Sequence, residues 1–160
     1  MIDNIPRPSG RPGEVIVHPI ILALLVLWII NDHVLKAWLA NAWTGKLSDV
    51  ASLAVFPLLP FGLYEVACAR LKRPPRHADA VLLASLAATG FVMASINTWA
   101  PAAEAYRWGL AAAQQPFRCL LGGFTCPPFR PVFLTVDPTD LITLPALVIP
   151  WFLARGRGAV

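Results

Sequence analysis

Charge is scarce in this sequence, and most of it comes singly. Only 14% of the 160 residues are Asp, Glu, Lys or Arg, against about 25% in an ordinary soluble domain. The net charge of +4 is not gathered into an aromatic-interleaved basic stripe, so no nucleic-acid partner is implied. Three cysteines are too few for a disulfide framework, and none forms a Cys-x-x-Cys zinc pattern. Gly45-Lys46 is not a phosphate loop, because the upstream glycine and the following Ser or Thr are missing. There is no Ser–His–Asp arrangement and no internal repeat.

Apolar surface is what the chain has in excess. Hydrophobic residues make up 57% of it, more than one core of this size can hide from water. The lipid bilayer is the solvent that accepts the remainder. The expected fold is a single-domain, all-α integral membrane protein with four transmembrane helices, over about 15–39, 47–71, 78–99 and 137–154. A short surface helix and a long loop are expected between spans three and four.

The leader to Glu14 carries Pro6, Pro8, Pro12, Gly10 and Gly13 with Arg7 and Arg11, a composition without helical period. Span one opens at Val15, with His18 and Pro19 in its first turn. The apolar run stops at Ile30, short of the ~20 residues needed to cross, so the helix has to continue through Asn31-Asp32-His33 to Leu39. A cleaved signal is the rival reading, with Ala40-Asn41-Ala42 as the site. It is disfavoured because Asp32, His33 and Lys36 separate that site from the apolar run.

In span two, Ser48 and Asp49 are expected to cap the first turn, and Pro57 and Pro60 to kink the middle. Arg70, Lys72, Arg73, Pro74, Pro75, Arg76 and His77 form a basic turn. Glu65 is expected to pair locally with Arg70, and Asp79 with Arg76. Span three carries small residues at Ala84, Ser85, Ala87, Ala88, Gly90, Ala94 and Ser95, which permit close helix contact. Ala102 to Gln115 is amphipathic and too polar to span, which places it on the membrane surface. Pro116 to Pro138 reads as the loop. Span four starts with Asp137-Pro138-Thr139-Asp140, an ordinary helix opening of cap, proline and acid.

Four spans put both termini on one side, together with eight of the thirteen basic residues. The positive-inside rule makes that side the cytoplasm of a bacterial-type inner (plasma) membrane. Cys119 and Cys126 then lie in an outer, oxidising loop, where a disulfide between them and two free thiols are both open readings. Cys68, within a span, reads as a small apolar residue.

The same topology brings polar residues distant in sequence to the outer boundary. Asn31, Asp32, His33 and Lys36 close span one, and Lys46, Ser48 and Asp49 open span two. Asn97 ends span three; Asp137 and Asp140 open span four. Ionisable groups at membrane depth imply function by default, and capping explains Asp32 and His33 least. One reading is cation binding or transport through this carboxylate cluster, with a divalent cation held by Asp32, Asp49, Asp140 and His33. A second is a membrane-embedded hydrolase acting on a lipid or envelope substrate, with a carboxylate as general base. A third is a non-catalytic accessory subunit, in a homo-oligomer or larger membrane complex. The third should leave small-residue faces such as Ala84, Ala88 and Ser95 uncovered by the chain's own helices.

Overall fold

The computed structural model describes residues 10–39, 42–123 and 126–156. Arg7, Arg157 and the Ala40-Asn41 part of the candidate cleavage site lie outside them. The described chain is all-helical, with no strands. Three helices are long and apolar enough to cross a membrane: α1 (Pro19–Leu39), α2 (Trp43–Arg70) and α3 (Ala78–Thr98). At 1.5 Å per residue, 21 residues reach about 32 Å, matching a hydrocarbon core of about 30 Å. Then follow α4 (Ala100–Leu121), a 3₁₀ segment (Pro138–Leu147) and α5 (Val148–Arg155). Two compact units divide the chain: one holds residues up to Phe91 and from Ile142 onward, the other Val92–Leu141.

The first unit is built on α2. A short 3₁₀ turn, Glu14–Val17, leads into α1. His18 Nδ1 accepts the Ile20 N–H at 3.3 Å, and Pro19 takes the first helical position, where its missing N–H costs nothing. In α2 the first of two prolines breaks the helix and the second does not. Pro57 sits in a turn between Ala42–Val55 and Leu58–Arg70, while Pro60 falls in the first turn of the second piece, where no intrahelical N–H is required. Val15, Ile21, Val55, Leu58, Phe61, Leu82 and Ala154 form the core, and Trp28 meets Phe56 edge-on at 5.3 Å.

Gly62 marks the closest approach in this unit. A Cβ there would strike Ile16 Cδ1 and lie 2.8 Å from its Cγ1. Mid-helix glycine costs about 1 kcal/mol against alanine, and here that cost admits the Glu14–Val17 turn. Gly62→Ala should therefore destabilise by about 1 kcal/mol net, since overpacking of about 1–3 kcal/mol exceeds the gain in propensity. An unfolding titration in detergent checks the sign. Glu65 Oε2 accepts the Gly13 N–H at 3.0 Å, so its described bond ties α2 to the leader instead of running along the helix to Arg70. Asp79 pairs with Arg155 at 3.6 Å, not with Arg76; Arg155 also lies 4.0 Å over the Trp151 ring.

The second unit corrects the expected surface helix and loop. Helix α4 runs to Leu121, past Pro116, six residues beyond the expected end at Gln115. The segment after it is not free, because it returns along α4. Gln115 Nε2 donates to the Pro127 carbonyl at 2.8 Å, and Trp108 packs on Phe129 at 5.4 Å. Arg107 Nε and the Val132 N–H exchange bonds with the carbonyls of Val132 and Arg107 at 3.0 and 3.2 Å. Cys119 and Cys126 are joined in a disulfide with their Cα atoms 4.2 Å apart. These cross-links hold the last turns of α4 against the usual cost of an interior proline.

Candidate functional site

The end of α1 contains a π turn, Asn31–Leu35, in which the Lys36 N–H reaches back five residues to the Asn31 carbonyl. Such one-residue bulges in α-helices are frequent at functional sites. Here it sits in the polar stretch that interrupts the apolar run. Asn31 is completely buried (0% exposed). Its Nδ2 donates to the Thr44 carbonyl at 2.6 Å and to Ser48 Oγ at 2.7 Å. Ser48 Oγ in turn donates to Asp32 Oδ1 at 2.6 Å. Lys36 Nζ lies 2.7 Å from the same oxygen.

The result is one continuous chain: Thr44 carbonyl, Asn31 amide, Ser48 hydroxyl, Asp32 carboxylate, Lys36 ammonium. Each hydrogen in it has an assigned direction, with the Ser48 hydroxyl accepting from Asn31 and donating to Asp32. It fastens α1 to α2, and its Asn31, Thr44 and Ser48 members are buried, where unpaired polar groups are costly. Asn31 Oδ1 is buried and accepts no hydrogen bond among the described residues.

Ser48 and Asp49 do not cap α2. The helix begins at Ala42, one and a half turns earlier, and both residues lie in its interior. Ser48 is accommodated there because its hydroxyl has partners on α1. Asp49 is half-buried, and its carbonyl accepts the Ser52 hydroxyl at 2.9 Å. His33 is exposed, away from the chain described above, and Lys46 is half-buried.

A second polar group forms within the other unit. Asn97, buried at the end of α3, donates from Nδ2 to the Met93 carbonyl at 3.1 Å and accepts the Asp137 N–H at 3.1 Å through Oδ1. Asp137 Oδ1 caps the Thr139 N–H at 2.9 Å, and the Asp140 N–H bonds to the Asp137 carbonyl at 2.9 Å. Asp137 is thus a helix cap, as its sequence context indicates. Among the described residues, no three or more His, Cys, Asp or Glu side chains group so as to hold a metal ion.

One member of the α1–α2 chain escaped the sequence reading, the Thr44 carbonyl. The signal was present as spacing: Thr44 and Ser48 are four apart, so they share a helix face.

The small residues of α3 divide between two faces. Ser85 is buried, and a Cβ on Gly90 would lie 3.0 Å from Leu147 Cδ1, so these serve contacts inside the protein. Ala84, Ala87 and Ala88 are exposed, flanked by Leu83 and by Phe91 at 73% exposure. Within their most apolar stretches, 44% of α2 is buried but only 11% of α1 and 22% of α3.

The class that these features define is an all-helical protein with three helices long and apolar enough to cross a membrane. No family model matches the chain, and no curated protein or solved structure matches it either.

Proposed function

We propose that this protein is a non-catalytic subunit of a membrane complex, which associates in the bilayer plane through the outward face of α3. The observation that carries the reading is the exposed Ala84–Ala88 pair on a helix whose Ser85 and Gly90 are already used internally. Small residues four apart let a second transmembrane helix approach closely, which is where van der Waals packing in lipid gains most. The polar residues near the membrane boundary fit the same reading. The Asp32 charge is matched by Lys36 and Ser48, an arrangement suited to fixing helix geometry. Ala84→Leu and Ala88→Leu should each shift the complex extracted in mild detergent to smaller size, with the monomer's own stability changed by less than about 0.5 kcal/mol, as for surface positions. An unchanged complex would refute the reading.

The fold in the membrane is a four-span bundle on this proposal. The 3₁₀ segment rises about 2.0 Å per residue and α5 about 1.5 Å, giving 138–155 a reach of about 32 Å, enough for a fourth crossing. Both termini then face the cytoplasm of a bacterial-type inner membrane, in line with the basic residues there. The Cys119–Cys126 disulfide falls on the oxidising side by the same topology, an independent point of agreement.

Cation binding at Asp32 is a second reading, favoured by the π turn. That turn gathers the Asp32 carboxylate and Ser48 hydroxyl beside the residue whose Oδ1 is buried without a hydrogen-bond donor. Titrating sodium, potassium or magnesium against tryptophan fluorescence should give a response in wild type that Asp32→Asn abolishes. A flat wild-type titration would sink this reading alone.

A further inference from the structure

The turn between α2 and α3 is a cleft with a chemistry that neither reading above uses. Helix α2 ends in a Schellman motif: the Arg73 N–H bonds to the Cys68 carbonyl at 2.8 Å and the Lys72 N–H to the Ala69 carbonyl at 3.0 Å. Lys72 supplies the left-handed residue, at φ 53°, a position that usually belongs to glycine because a Cβ costs about 1–2 kcal/mol there. Pro74 and Pro75 follow and stiffen the turn. The bend carries Arg73 and Arg76 to the rim of a cleft of about 510 Å³, lined by Tyr64, Cys68, Arg73, Pro74, Arg76 and His77.

Every polar side chain in that lining is a donor or a cation. Neither guanidinium has a carboxylate partner among the described residues. The nearest acid in sequence, Asp79, is engaged by Arg155, and Glu65 accepts the Gly13 N–H. The Tyr64 hydroxyl accepts the His77 N–H at 3.3 Å, which leaves its own hydrogen free to donate. Two Arg forks, a phenol and an imidazole around one cleft match an anion with several acceptor oxygens, and Arg pairs with phosphate bidentately. The cleft also lies at the turn that joins α2 and α3, two helices long and apolar enough to cross a membrane. Basic pockets between membrane helices are the sites that hold anionic headgroups.

We infer that this cleft binds a phosphate ester, presented by the headgroup of an anionic phospholipid. Arg73 and Arg76 grip the phosphate, Tyr64 and His77 donate at its sides, and the stems of the lining rest on the glycerol end of the lipid. The site is independent of any partner helix on α3.

The test uses the full chain in a nonionic detergent, titrated with short-chain phosphatidylglycerol, with phosphatidylcholine and with inorganic phosphate, reading the rise in Tm. Phosphatidylglycerol should raise Tm saturably and phosphatidylcholine should not. Arg73→Gln/Arg76→Gln should move the half-maximal phosphatidylglycerol concentration upward roughly thirtyfold, from the usual contribution of a basic residue near an anionic surface. Arg73→Lys/Arg76→Lys should recover part of that loss, and Arg130→Gln should behave as wild type. A response to inorganic phosphate as strong as to the lipid would support the anion site and overturn its assignment to a headgroup. Equal responses to both lipids, or a double variant that titrates like wild type, would overturn the site itself.

Discussion

Replacing Asn31 by Leu is expected to lower stability by about 2–3 kcal/mol, although leucine is the more apolar residue and the helix is long and apolar enough to cross a membrane. The amide donates to both the Thr44 carbonyl and Ser48 Oγ from a fully buried position. Leucine fills a similar volume but leaves the Ser48 hydroxyl without its donor and the Thr44 carbonyl one bond short, at about 1–3 kcal/mol for buried groups deprived of partners. SDS-driven unfolding followed by tryptophan fluorescence measures the loss, with Trp28 beside Asp32 as a local reporter. A cycle with Ser48→Ala should give a coupling of about 0.6–1.7 kcal/mol, the range found for hydrogen bonds between membrane helices. Additive effects would mean that the two side chains do not act as one chain.

Cys119→Ser/Cys126→Ser is expected to loosen the second unit by about 2.5 kcal/mol, the chain-entropy value for so small a closed loop. The disulfide spans a separation of seven residues and fastens the returning segment to the end of α4. Its loss should not spread to the α1–α2 pair, whose bonds lie in the other compact unit. Chymotrypsin is a direct readout, because Phe133 is exposed on the returning segment and is followed by Leu134. Cleavage there should accelerate roughly fiftyfold on reduction or in the double serine variant, as expected when opening becomes about 2.5 kcal/mol easier. Unchanged cleavage would show that Gln115–Pro127, Trp108–Phe129 and Arg107–Val132 hold the segment alone.

The parts legible in the sequence are those set by local rules. Apolar runs of bilayer length, proline at the start of α1 and the Asp137 cap each follow from residues within a turn of one another. Where the reading failed, a distant partner had overridden a local preference. Ser48-Asp49 has the composition of a helix start, yet α2 begins at Ala42, because Ser48 finds its partners on α1 and not in its own first turn. Pro116 signals a helix end, yet α4 continues to Leu121, where the disulfide and Gln115 tie it to the returning segment. The π turn belongs to the same class. Nothing in Asn31-Asp32-His33 requires an extra residue per turn, but the wider turn accompanies bonds from both Asn31 and Asp32 to Ser48 on α2.

The polar residues near the membrane boundary also read differently once their partners are known. Asp32 begins as a carboxylate at an unusual depth, and it ends as one link in a chain running from Thr44 to Lys36. Asn97 and Asp137 form their own group within the second unit.

The most direct measurement places a photoreactive amino acid at position 88 of the full-length protein in intact membranes. The account predicts one discrete protein adduct on irradiation, lost when Ala84→Leu is added and not formed from an outward position on α1 such as Val26. No adduct at position 88, or the same adducts from Val26, would contradict association through the α3 face.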